Sequence, residues 1–159
     1  MKSKLNRKSL SASTMAWMVL ICLLPQIARA EVVLATSVEK TGAGPGGGDL
    51  VGVYSGETLR YTIAFTNEGT RAALAGSVVI TNPLPEGTLY VDGSAEGADT
   101  EITFSVDGET FTGPAALQVR EGDTTRPAEA SDYRAIRWTY QPALAAGDAS
   151  EVSFELEIR

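Results

Sequence analysis

Apolar and polar residues alternate one for one over most of the chain beyond position 55. In LRYTIAFTN, Leu59, Tyr61, Ile63 and Phe65 fall on one side, and Arg60, Thr62, Ala64 and Thr66 on the other. The last segment, SEVSFELEIR, sets Val152, Phe154, Leu156 and Ile158 against Glu151, Ser153, Glu155 and Glu157. YRAIRWTYQ adds Ile136, Trp138 and Tyr140, and EITFSV adds Ile102, Phe104 and Val106. Successive side chains of a strand point to opposite faces, so each row predicts a half-buried strand with one wet face. Strands are predicted near 31–39, 50–54, 57–67, 75–82, 88–92, 101–106, 109–112, 116–120, 133–140 and 150–158. No stretch carries a long, capped stripe of helical period, and PALAA at Pro142 to Ala146 is short.

Between the rows lies turn chemistry: NEG at Asn67 to Gly69, VDGE at Val106 to Glu109 and AGDAS at Ala146 to Ser150. ITNPLPEGTLYVDGS explains itself as a corner. Pro83 and Pro85 remove two backbone donors and end a strand carrying Val78 and Ile80. Leu84 is placed to plug the end of the core, Gly87 to reverse the chain, and Leu89 and Val91 to begin the next strand. Many short strands, each with one apolar face, predict an all-β antiparallel sandwich.

The first thirty residues stand apart. Lys2, Lys4, Arg7 and Lys8 form a basic region, Met15 to Leu24 an apolar one, and Pro25 ends it. Ala28 and Ala30 supply the small residues a signal peptidase requires, so residues 1–30 read as a cleavable secretory signal peptide, cut before Glu31. The apolar run is about half the roughly 20 residues needed to span a bilayer, which disfavours an uncleaved anchor. Cys22 follows Ile21 where lipidation wants a small residue. The expected destination is the periplasm, cell surface or medium.

Removing the leader changes the charge. Five of the 13 basic residues (Lys2, Lys4, Arg7, Lys8, Arg29) and none of the 20 acidic ones belong to it, so 8 basic residues remain and the mature charge is about −12. Such a surface repels nucleic acid and anionic lipid. Residues 31–159 are of one-domain length and contain no cysteine, so burial alone must hold the fold. The sequence has no histidine, which removes Ser-His-Asp and Cys-His activation and the usual zinc ligand sets. No catalytic residue and no cofactor is predicted.

SGETLRYTIAFTNEG, followed by ITNPLPEG and finally LAAGDASEVSFELEIR, resembles the DUF11 family of bacterial surface-repeat domains. The match runs through Gly56, Glu57, Tyr61, Thr62, Asn67 and Gly69, then Asn82 to Gly87, then Leu144, Gly147 and Val152 to Ile158. It covers roughly residues 50 to 159, and it implies an immunoglobulin-like β-sandwich in an exported or envelope protein. Two features depart from the family. Only one copy is present where tandem copies are common, and the 107–132 stretch is long enough for an inserted hairpin and loop.

Candidate chemistry is sparse. GAGPGGGD, Gly42 to Asp49, lacks the lysine and hydroxyl residue of a phosphate loop, so 40–49 reads as a flexible glycine-rich connector. Asp92, Glu96, Asp99, Glu101 and Asp107 are acidic-loop candidates for calcium, without an Asp-x-Asp-x-Asp spacing. Lys40, the only lysine after the leader, reads as an exposed charge. A Lys–Asn crosslink would need Asn67 or Asn82, both at turns. Trp138, Tyr140, Tyr61 and Phe154 could form a sugar platform, but alternating strand positions favour the core. Glu155 and Glu157 share an outward face with no evident cleft, unlike a glycosidase pair.

The expectation is an exported, non-enzymatic module of the bacterial cell envelope with a structural or protein-interaction role, its partner an envelope or surface protein or glycan. The alternative is a carbohydrate- or calcium-dependent ligand-binding domain using the acidic loops. A further possibility is strand exchange in fibre assembly, since a terminal strand can complete another subunit's sheet edge.

Overall fold

A computed structural model describes residues 28–41, 52 and 54–159. Leader residues 1–27, the glycine-rich 42–49 and most of the strand expected at 50–54 lie outside the described residues. Ten strands follow in order: β1 (Val32–Lys40), β2 (Thr58–Asn67), β3 (Val78–Pro83), β4 (Thr88–Tyr90), β5 (Glu96–Gly97), β6 (Thr100–Ser105), β7 (Gln118–Glu121), β8 (Thr124–Pro127), β9 (Ala135–Tyr140) and β10 (Ala149–Ile158). The larger sheet runs β1-β2-β10-β4, with β5 also on β10; the smaller runs β3-β9-β6; β7 and β8 form a separate hairpin. All pairings are antiparallel.

The chain is therefore the all-β sandwich that alternation predicts. Its strand path has an order of its own. In the seven-strand immunoglobulin arrangement the last strand joins the sheet of the third and sixth. Here the last strand, β10, lies in the larger sheet between β2 and β4. Register explains the fit: Val152 stands opposite Ile63, Phe154 opposite Tyr61, and Leu156 opposite Leu59. The Tyr61 and Phe154 rings stack at 5.1 Å. Across the smaller sheet Ile80, Trp138 and Ile102 lie side by side.

These rows meet in one interior. Trp138, Phe65, Phe154, Ile136, Leu144, Leu156 and Val152 are all less than 2 % exposed. Each such side chain contributes roughly 1.5–3 kcal/mol of burial. Trp138 and Phe154 rings lie 5.6 Å apart, so the aromatics weighed as a sugar platform serve the core. Trp138 Nε1 is buried without a hydrogen-bond partner. An orphaned donor of this kind costs about 1–3 kcal/mol, which the packing around the indole must outweigh.

The corner at 83–87 forms as its sequence suggests. Pro83 closes β3, Leu84 is half-buried against the core, and its N–H donates to the Arg134 carbonyl at 2.8 Å. Gly87 takes φ +78°, which lets β4 begin at Thr88.

The 109–112 strand does not form. Asp107 instead organises a tight loop, its Oδ1 accepting from Ser105 Oγ, Glu109 N and Thr110 N, each at 2.8 Å. Only a Phe104–Thr112 bridge remains. Pro114 starts a 3-10 turn through Ala116, which delays the next strand to Gln118. The β7–β8 hairpin is clamped by Arg126, which meets Asp132 at 2.6 and 2.9 Å and Glu121 at 2.8 Å. The fork geometry of the guanidinium holds the Asp132 carboxyl down at about 2, with a Glu129 N–H adding to the effect.

Candidate functional site

The two sheets differ in width, and the difference leaves a slot. Leu34 stands opposite Phe65 in the β1–β2 ladder and so shares its inward face. Phe65 is fully buried, yet Leu34 is 52 % exposed. The smaller sheet ends at β3 and nothing described beyond it covers β1. Between β1 and β3 lies an open groove of about 380 Å³. Val32 and Leu34, with Ala30 before the expected cut, form one wall, Val78, Val79 and Ile80 the other, and Ala72 to Leu74 close the end.

Three of the five large apolar side chains left exposed among the described residues line this groove: Leu34, Leu74 at 77 % and Val79 at 49 %. A fourth, Val33, is on the same strand. Among the described residues β1 pairs only with β2, and β3 only with β9. Both walls therefore present unpaired backbone. β1 is nine residues long and free of proline, with no charge from Val32 to Val38. It lacks the devices by which edge strands avoid pairing.

The acidic residues proposed for calcium lie elsewhere and apart. Glu96 bonds Arg60 at 2.6 Å, and Arg60 also reaches Ser153 and Glu155. Asp107 is committed to its own loop, where the Thr110 and Glu109 N–H groups and the Ser105 hydroxyl hold its carboxyl far below the usual range. Asp99 sits in the turn before β6 at φ +55°, Glu101 faces outward on β6, and Asp92 follows β4. Among the described residues no three acidic side chains are gathered for a metal. Glu155 is half-buried against Arg60 and Glu157 is exposed.

A second pocket was not visible in the alternation. Tyr90, Phe104 and Tyr133 cluster, with Phe104 and Tyr133 stacked at 4.6 Å. With Asp92, Ile102 and Pro114 they line an open hollow of about 220 Å³. Burial raises both tyrosine hydroxyl pKa values. Tyr133 follows the short turn Ala130–Asp132, whose position depends on the Arg126 clamp, so sequence spacing gave no signal for this grouping.

Lys40 requires a correction. Its side chain is only 7 % exposed, beside Glu57 at 8 %. The ammonium donates to Glu57 at 3.2 Å and to the Gly52 carbonyl at 2.9 Å, which offsets its desolvation. The Tyr54 N–H and then Lys40 hold the Glu57 carboxyl below its ordinary range, against the opposing effect of burial. A crosslink to Asn67 has no geometry: Lys40 lies opposite Leu59 and Asn67 opposite Val32. Eight ladder positions at about 3.4 Å each separate them by roughly 27 Å. Asn82 belongs to the other sheet.

No family model matches the chain, and no curated protein matches it.

Proposed function

We propose that the chain is an exported, non-enzymatic module of the bacterial cell envelope that binds an extended segment of another protein in the β1–β3 slot. The observation that carries this reading is an apolar groove walled by two strand edges with free backbone. A strand added beside β3 would hydrogen-bond along the edge and send alternate side chains beneath Leu34. The domain's charge of about −12 favours an occupant that is uncharged or basic and apolar at every second position. The leader supports export, and the resemblance to DUF11 domains supports an envelope setting.

Photo-crosslinking in the producing cell tests this reading. A photo-reactive residue at Leu34 or Val79 is expected to yield a protein adduct mapping to an extended segment. The same residue at Asp123, in the β7–β8 turn, or at Glu157 on β10, both away from the slot, is expected to yield none. Equal labelling from all four positions, or none from the slot, contradicts the proposal; an adduct with a second copy would make the partner the chain itself.

The aromatic hollow at Tyr90, Phe104 and Tyr133 favours a second reading, a small-ligand or carbohydrate site with Asp92 at its rim. A thermal-shift screen with glycans and calcium tests it, and an unmoved melting point under every condition would remove it.

A further inference from the structure

Asn67 is fully buried, and its side chain uses its whole hydrogen-bonding capacity. Nδ2 donates to the Arg71 carbonyl at 2.8 Å and the Leu144 carbonyl at 2.9 Å. Oδ1 accepts from Gly69 N and Glu31 N, both at 3.1 Å. The second donor is unusual in its position, because Glu31 N belongs to the bond at which the leader is expected to be cut. Around it the chain is paired further. The Arg29 carbonyl accepts from Thr70 N at 2.9 Å and Arg71 N at 3.3 Å, and the Glu31 carbonyl accepts from Glu68 N at 2.8 Å.

Gly69 makes this approach possible. A Cβ there would lie 2.5 Å from Glu31 N and 2.9 Å from the Ala30 carbonyl carbon, and closer still to the Arg29 carbonyl oxygen. Only glycine lets residues 29–31 cross so near. The corner that admits the segment thus consists of Asn67, which bonds it, and Gly69, which makes room for it.

We propose that the Asn67–Gly69 corner is the seat of the processed N-terminus, and that folding onto this seat closes the Ala30–Glu31 bond to the peptidase. The inference rests on the export reading. Hydrolysis adds the hydroxyl of water to the Ala30 carbonyl carbon and a proton to the Glu31 nitrogen. It leaves an α-ammonium that keeps Asn67 Oδ1 as acceptor. A peptidase must take residues 28–31 as a free extended strand, with Ala28 and Ala30 entering its pockets. In the folded chain the Arg29 and Glu31 backbone groups are already hydrogen-bonded to residues 67–71, although the side chains of 28–31 stay exposed, so cleavage precedes folding or waits for local opening.

The full-length chain, treated with purified signal peptidase, tests the seat. Folded precursor is expected to be cut at least about tenfold more slowly than precursor held unfolded, because proteolysis follows the population of the open form. Gly69→Val, which displaces residues 29–31, is expected to restore fast cutting while Trp138, in a precursor carrying Trp17→Phe, still reports a folded core. In the mature chain, the Glu31 α-amine is expected to be acylated about tenfold more slowly in the native state than in urea. Equal cutting rates for folded and unfolded precursor, or equal acylation rates, with a product beginning at Glu31, overturn the seat alone. A product beginning elsewhere overturns the leader assignment and the seat with it.

Discussion

Two side chains that look alike in the sequence, both polar and both at strand ends, carry different parts of the structure. Asn67 ties β2 to the 69–71 turn, the segment before β1 and the Leu144 loop through four bonds. Asn67→Ala would leave two N–H groups and two carbonyls without that partner, and the expected loss is about 3 kcal/mol or more. Urea unfolding followed by emission of Trp138, the only tryptophan after the leader, measures it. Lys40 and Glu57 pair at 3.2 Å with little exposure, so Lys40→Ala leaves the Glu57 carboxylate without its cation and is expected to lower the urea midpoint clearly. Replacing both by Met should cost much less, which the same unfolding experiment checks. Asn67 and Gly69 stood out in the sequence by their spacing after Tyr61, but what they hold did not, because Glu31 comes to them from 36 positions away. Lys40 was misread for a similar reason: a lone lysine is usually solvated, and only folding brings Glu57 to it.

At the level of elements, the period-two rows located β2, β6, β9 and β10 well, since each turns a more buried face to the core and a less buried one outward. β5 and β8 have no such contrast. TTRP of β8 has no large apolar residue, and it forms because Arg126 binds Asp132 and Glu121. That clamp makes a pH prediction. The Asp132 carboxyl falls from its ordinary 3.8 to about 2 in the fold. Its stabilising contribution is therefore complete above the unfolded value and is lost as pH falls through about 2. Arg126 is partly exposed, so the effect is modest and screened by salt. Amide exchange is expected to show the β7–β8 hairpin opening in that window before β9 and β10 do, and Asp132→Asn should open it already at neutral pH. Asp107 and Glu57 are also held low, so the whole fold weakens in acid, and only the order of opening isolates the clamp.

For the whole molecule, the decisive fact is how many strands each sheet receives. Alternation says which face of a strand is dry; it does not say which strands are neighbours. β10 takes its place beside β2 because Val152, Phe154 and Leu156 match Ile63, Tyr61 and Leu59, and the smaller sheet is left with three strands. The overhang of β1 and the slot beneath it follow from that count, which is why the slot was not legible in the sequence. The most direct test compares two truncations by urea unfolding. Leu156→Ala, at a fully buried position in β10, is expected to cost about 3 kcal/mol, within the range for core leucines. Leu34→Ala, on the same inward face but in the slot, is expected to cost less than about 1 kcal/mol. A loss at Leu34 equal to that at Leu156 would mean that β1 is covered, and would contradict the existence of an open slot.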